Sequence, residues 1–398
     1  MVWIHGGGWM IGSKDNPVYD GHGFARDGVV LVSMNYRLGV EGFLPIPGVP
    51  TNLGLRDMVA ALHWVHDNIA TFGGDPDNVT VFGESAGAFS IANLIASPLC
   101  DNLFRRAIVQ SGHGLAGFPI EIAQRVVEHV ARYLDIPATR SGFMSVEPGA
   151  ALRALKHVSR RGRIDLRDDH GFDPTFGISR FNTVYGDDVL PVRPLTALAT
   201  GAGKDIDLMI GTMTQEANLF FAPLGLTSWA PAVLARWFLQ SCIAQPRTVL
   251  HAYGLGSGKR PGQALSDAMT DLCFRWPAQQ YATAHRGRTF MYAFGYQSTA
   301  CRGRLGAAHA LDIPFVFDNL STVSGTRNSL AGIDPPRWLA KKVHQHWIDF
   351  ATTGDPGWAP FDHRHANMYM LDQGAERREP NSPAARLLPP TYAGERTG

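Results

Sequence analysis

The residues best able to do chemistry lie in two short glycine-rich segments of this 398-residue chain. One is Gly83-Glu84-Ser85-Ala86-Gly87. A serine hydroxyl is a poor nucleophile at neutral pH. It needs a base to take its proton and donors to hold the oxyanion that its attack creates. The other segment, His5-Gly6-Gly7-Gly8-Trp9, can supply those donors. Glycines let backbone N–H groups approach a substrate closely, so Gly7 and Gly8 are candidate oxyanion donors, and the Ala86 N–H just after the serine is a third. Removing one such donor typically costs about 3 kcal/mol of transition-state stabilisation. The chemistry this pairing allows is acyl transfer through a covalent intermediate on Ser85.

A G-x-S-x-G pentad is weak by itself, since composition alone supplies roughly 0.2 chance matches in a chain this long. The surrounding elements give it weight. Val79 to Phe82 read as a strand, and the pattern turns helical from Ala86 to about Ile95. Ser85 therefore falls on a sharp strand-to-helix turn. Gly83 and Gly87 avoid a collision across that turn, and the hydroxyl is held clear at the top of a sheet. The His-Gly-Gly-Gly segment directly follows an apolar strand end, Met1 to Ile4. An ordinary serine on a glycine-rich turn and a flexible loop at a strand end are the plain alternatives. Each accounts for one segment and neither accounts for both.

The rest of the chain alternates short β-branched runs with longer helical patterns, which predicts an α/β fold with a mainly parallel sheet flanked by helices. Val29 to Asn35 form a continuous apolar run, as in a strand covered on both faces. Asn52 to Phe72 read as a helix capped by Asn52, with Leu55, Met58, Leu62, Val65 and Ile69 on one stripe and Gly73-Gly74 as the stop. Further strands are predicted over 106–110, 207–212 and 289–296, and helices over 119–134 and 336–352. Residues 137–185, rich in Arg, Gly and Asp, read as an excursion outside the sheet. The polar, Pro-rich tail over 373–398 reads as loosely held. One domain over 1–398 is the simplest organisation.

Composition narrows the function classes. Lys plus Arg number 36 and Asp plus Glu 35, for a formal net charge of +1. Nothing in this balance suggests electrostatic capture of nucleic acid or anionic lipid. No apolar run reaches the length of a membrane span. Cys100, Cys242, Cys273 and Cys301 are widely spread, so no zinc site is readable and four unpaired thiols are expected. No signal peptide precedes the first strand, so the chain as written reads as cytoplasmic, with secretion left open should the coding start lie upstream.

The chain resembles the type-B carboxylesterase family, which includes bacterial p-nitrobenzyl esterases, animal carboxylesterases and cholinesterases. The matching segments are VWIHGGGW, NYRLGVEGFL, NLGLRDMVAALHWVHDNIATFGGDPDNVTVFGESAG and FRRAIVQSG, followed by DLMIGTMTQEANLFF, GAAHALDIPFVFDN, IDFATTGDPGWAPFD and YMLD. They span nearly the whole chain in the family's order and are densest up to about Gly112. The resemblance implies an α/β-hydrolase fold and a Ser-Glu-His triad, with Glu216 as the acid and His309 as the base. It implies hydrolysis of small carboxylic esters, with no metal and no organic cofactor, and leaves the oligomeric state open. Glu84 matches a family acid beside the nucleophile that could tune His309, and Ser111 matches a serine near the triad. Arg37 and Asp57 match a salt bridge below the site, read as a buried structural pair. His344 and His346 read as structural. Phe220, Phe221, Phe315 and Phe317 are candidates to line an acyl pocket, or plain core.

Two departures from the family stand out. The acid segment reads Gln215-Glu216-Ala217 where the family usually has Asp-Glu-Gly. If that position has positive φ, Ala217 adds roughly 1 kcal/mol of strain. The second is larger. Family members carry a segment before HGGG that holds the first strands of the sheet. The expectation here is a sheet without those N-terminal strands, with the 29–35 strand as an exposed edge. Two other readings stand beside the esterase: a non-catalytic or inactive truncated relative acting as a binding protein, and a hormone-sensitive-lipase-like esterase, which also uses HGGG.

Overall fold

The computed structural model describes residues 1–379 and 382–388. Its centre is an eight-stranded sheet. The strands are β1 (Val2–Ile4), β2 (Val32–Met34), β3 (Thr80–Glu84), β4 (Arg106–Gln110), β5 (Asp207–Met213), β6 (Thr289–Phe294), β7 (Asn367–Met370) and β8 (Ala375–Arg378). They lie in the order β8-β7-β6-β5-β4-β3-β1-β2. Every neighbouring pair is parallel except β8 on β7. The mainly parallel sheet flanked by helices that the sequence predicts is the one observed.

Side chains on the strands alternate between two apolar layers, as the period of two requires. Ile4, Val81, Val109, Ile210 and Ala293 face one core. That core is closed by α1 (Leu53–Asn68), α2 (Ala86–Ile95) and α3 (Ile120–Leu134). Trp3, Phe82, Ile108, Met209 and Phe290 face the other. Helix α5 (Arg337–Thr353) covers it with Leu339, Val343, Trp347 and Phe350. The expected excursion contains a further helix, α4 (Pro148–Val158).

The connections explain where a site can form. The chain leaves β1, makes β2 at its outer side, and returns through α1 to place β3 on its inner side. Ile4 is thus in register with Gly83. The segment after β1 and the turn after β3 meet at the carboxyl ends of the strands, where open parallel sheets bind their ligands.

Several expectations are revised. The 29–35 strand is shorter, Val32–Met34, and only partly buried, because β2 is the outermost strand of the sheet. Asn52 does not cap α1: it sits in the left-handed region with no capping bond. Its side chain instead bridges to the backbone of Val184, donating to the carbonyl and accepting from the N–H. The tail expected to be loose from residue 373 begins with β8 paired on β7, and Glu379 is held by Arg275 at 2.6 Å. The last ten residues of that tail lie outside the described residues. All four cysteines are unpaired; Cys301 alone is partly exposed. No helix among the described residues is long and apolar enough to cross a membrane.

Candidate active site

Ser85 sits on the turn between β3 and α2 with φ 54° and ψ −124°, a region that non-glycine residues rarely occupy. Two backbone bonds hold it there. Its N–H donates to Gln110 O at 3.0 Å, and its carbonyl accepts from Phe89 N at 2.8 Å. The flanking glycines are required by contact. A Cβ on Gly83 would lie 2.5 Å from Ile4 O, and one on Gly87 would lie 2.0 Å from the same oxygen. Gly87→Ala is therefore expected to lower stability by about 3 kcal/mol through forced overpacking, read as a depressed thermal midpoint.

The HGGG segment crosses directly over this turn. A Cβ on Gly6 would lie 2.7 Å from Glu84 Oε2 and 3.0 Å from Ser85 Cβ. Gly7 and Gly8 have φ of 119° and 61°, so their backbone is one that glycine favours. Trp9 Nε1 donates to Ser90 Oγ at 3.0 Å, and Ser90 Oγ donates to Ala86 O at 2.7 Å. The loop is thereby tied to the first turn of α2.

Glu216 and His309 come from the loops after β5 and β6 and meet in the interior. Glu216 is fully buried, and both its oxygens are used. Oε1 accepts from Met213 N at 2.7 Å, and Oε2 accepts from His309 Nδ1 at 2.6 Å. The His309 N–H also donates to Glu216 O at 3.1 Å. Ala217 has φ −69°, so the strain considered for a residue replacing glycine does not arise. Its N–H donates to Thr270 Oγ1 at 3.1 Å.

The other ring nitrogen, His309 Nε2, lies 3.0 Å from Glu84 Oε1, although the two are not aligned as a hydrogen bond. Among the described residues the Ser85 hydroxyl has no hydrogen-bond partner. Burial pushes the Glu84 carboxyl up to about 8, against the pull of His309. Burial works against a charged His309, but the carboxylates of Glu84 and Glu216 outweigh it and raise the imidazole.

Behind this pair stands a buried prop that the sequence reading missed. Asp312 Oδ2 accepts from Gln110 Nε2 at 2.8 Å, and Gln110 Oε1 accepts from Trp347 Nε1 at 3.1 Å. Burial lifts the Asp312 carboxyl to about 6. Ser111, also buried, takes φ 55° at the end of β4, and its hydroxyl has no partner among the described residues.

The four aromatic candidates divide between the two readings given for them, pocket lining and plain core. Phe220 does lie near the site, with its ring 5.8 Å from that of His309. Phe221 instead packs on Phe238. Phe315 and Phe317 belong to the core on the other face of the sheet. The rings that replace them are Phe274, 4.9 Å from His309, and Phe89, which packs on both Phe274 and His113. Phe89 is four residues after Ser85 on α2, a helical spacing that could have flagged it. Phe274 carries no such signal. Arg37 and Asp57 do pair, at 2.6 Å, but their side chains are 46% and 26% exposed, so this is not the buried pair expected. His344 and His346 donate from Nδ1 to Val316 O and Pro356 O and are structural, as read. No group of three or more His, Cys, Asp or Glu among the described residues is placed to hold a metal ion.

Comparison with known proteins bears on this arrangement. The sequence profile described as the carboxylesterase family matches residues 1–384. The para-nitrobenzyl esterase of Bacillus subtilis (strain 168) is 34% identical over 388 residues, which is 94% of this chain and 75% of that protein. The phenmedipham hydrolase of Pseudarthrobacter oxydans is 34% identical over 365 residues, 89% of this chain and 70% of that protein. Among solved structures, a carboxylesterase of Geobacillus stearothermophilus superposes with a TM-score of 0.78 at 31% identity, over 95% of this chain and 80% of that one.

Proposed function

The chain belongs to the carboxylesterase family and has the α/β-hydrolase fold of its structural neighbours, and on that premise we propose that it cleaves small carboxylic esters through an acyl-enzyme on Ser85. Ester hydrolysis is the activity of the family. The identity of the working residues is the proposal.

The observation that carries it is the double anchoring of Glu216. With Oε1 committed to Met213 N and Oε2 to His309 Nδ1, the imidazole keeps its proton on Nδ1 and leaves Nε2 as the basic nitrogen. That nitrogen lies beside Glu84, the residue preceding Ser85. The proposal requires Nε2 to reach the Ser85 hydroxyl, and such catalytic bonds commonly tighten only when substrate is bound.

The reaction then runs in two halves. Ser85 Oγ attacks the ester carbonyl carbon as its proton passes to His309 Nε2. The carbonyl electrons move onto oxygen, where the N–H groups of Gly7, Gly8 and Ala86 receive the charge. Collapse expels the alcohol, which takes the proton from His309. Water, deprotonated by the same nitrogen, attacks the acyl-enzyme, and collapse releases the acid as Ser85 Oγ leaves with the proton that His309 returns. Glu216 stabilises the imidazolium formed in each half. Phe274, Phe89 and Phe220 supply an apolar wall for the substrate. A non-catalytic relative would be expected to lack one of these groups, and all are present. The scheme uses no metal or organic cofactor.

The test is hydrolysis of short-chain p-nitrophenyl esters by the purified chain, with an organophosphate adduct on the peptide that contains Ser85. A folded chain that shows neither overturns the proposal. Glu84 gives a second readout. A carboxylate beside an imidazolium favours the charged form, so Glu84→Gln should lower the pKa of His309. The acidic limb of the kcat/KM profile should move to lower pH by about 1 unit or more. An unmoved limb would show that Glu84 does not act on the base.

A further inference from the structure

We propose that His5 is a positioning residue of the oxyanion hole, and that its Nδ1–H sets the direction of the Gly7 N–H. This rests on the proposed acyl-transfer function and extends it to a residue that touches no substrate.

A peptide unit is planar, so fixing a carbonyl fixes the N–H on the other side of the same unit. Three successive units of the loop are each held in this way. The His5–Gly6 unit is held by the Tyr36 hydroxyl, which donates to His5 O at 2.8 Å. The Gly6–Gly7 unit is held by His5 itself, whose Nδ1 donates to Gly6 O at 2.8 Å. The Gly7–Gly8 unit is held by Met10 N and Ile11 N, both 3.1 Å from Gly7 O. The second unit carries the Gly7 N–H and the third the Gly8 N–H, the two proposed loop donors. The tight turn at Met10 and Ile11 fixes one of them. Among the described residues, only the imidazole bonds to the carbonyl of the unit that carries the other.

The surroundings keep that imidazole in place. Its ring stacks on Tyr36, with centroids 4.6 Å apart and planes 21° apart. Gly12, at φ 117°, leaves room for the bond: a Cβ there would lie 2.5 Å from both Gly6 O and His5 Nδ1. His5 is 1% exposed, and burial lowers its pKa against the opposing pull of its bond to Gly6; the carbonyl partner of Nδ1 requires a proton on that nitrogen. Nε2 is buried with no partner among the described residues. An unpartnered buried nitrogen costs stability, and an apolar ring in the same stack would avoid the cost. The donor at Nδ1 is what a histidine supplies here and a phenylalanine does not.

The experiment compares His5→Asn, His5→Asp and His5→Phe. Asparagine can place an N–H donor where Nδ1 sits, aspartate places an acceptor there, and phenylalanine keeps the stack without a donor. His5→Asn should stay within about fivefold of wild type in kcat. The other two should lose roughly 30-fold or more in kcat, less than the full loss of one oxyanion donor, with KM little changed. Their affinity for a trifluoromethyl ketone, which forms a tetrahedral adduct on the serine, should fall in the same proportion. A merely structural role would lower the thermal midpoint without this coupled loss. The inference is overturned if His5→Phe keeps wild-type kcat, or if His5→Asn falls as far as His5→Asp. If His5→Phe does not fold, the Asn and Asp pair decides. Wild-type protein without turnover or labelling would instead sink the underlying function, and that is seen before any variant is made.

Discussion

Ser85→Ala is expected to lower kcat for a short-chain p-nitrophenyl ester by roughly 10⁴- to 10⁶-fold, the range seen when the nucleophile of a serine hydrolase is removed. The residual rate would come from substrate binding and the oxyanion donors alone. The same variant should gain no mass on treatment with an organophosphate. Its fold should persist, because Ala keeps both backbone bonds of Ser85, its N–H donating to Gln110 O and its carbonyl accepting from Phe89 N. The hydroxyl, which has no hydrogen-bond partner among the described residues, takes none of the turn's support with it. Turnover above about 1% of wild type, from protein free of contaminating esterase, would mean that Ser85 is not the nucleophile.

The two parts of the site differ in how they are written into the chain. The nucleophile turn and the glycine loop are legible because their constraints are local. Ser85 lies on a turn with its glycines two positions to either side, and Gly7 and Gly8 are favoured by their own backbone angles; the oxygen that forces Gly83 and Gly87, Ile4 O, belongs to the neighbouring strand and was not readable. The acid and the base are not legible in this sense. Glu216 and His309 are 93 positions apart and meet only because β5 and β6 are neighbours in the sheet. With 15 histidines in the chain, only the family resemblance singled out His309.

The missed features follow the same division. Phe315 and Phe317 follow His309 closely in sequence, but the short helical turn Ile313–Val316 carries them to the opposite face of the sheet. Phe274 reaches His309 from a separate π-helical turn. The Gln110–Asp312 prop joins a strand end to a loop 202 positions later. The pairing of Arg37 with Asp57 was readable, but its exposure was not, since exposure depends on what packs over the pair.

Glu216→Gln is expected to cost about as much as changing the acid of a serine protease triad to its amide, on the order of 10⁴-fold in kcat, with little change in fold. The reason lies in the two donors that face this carboxylate. Met213 N–H points at Oε1 and His309 Nδ1–H at Oε2. An ionised carboxylate accepts both; an amide has one oxygen and one NH₂. If the amide oxygen faces His309, the NH₂ meets the Met213 N–H, a donor against a donor in a site with no exposure. If it faces Met213, the NH₂ meets Nδ1, and the ring must give up that proton and carry it on Nε2. The basic nitrogen is then lost from the side where Ser85 must deliver its proton. The backbone Met213 N–H cannot move without disturbing β5, whereas the imidazole can change tautomer, so the second arrangement is favoured. The loss should therefore fall on kcat, with KM nearly unchanged and labelling by an organophosphate slowed in parallel. Glu216→Asp supplies the control. It keeps both acceptors on a shorter arm and should recover part of the rate that Gln loses. If Gln and Asp lose equally, what matters is the length of the side chain and not its capacity to accept two bonds, and Glu216 does not set the tautomer of His309.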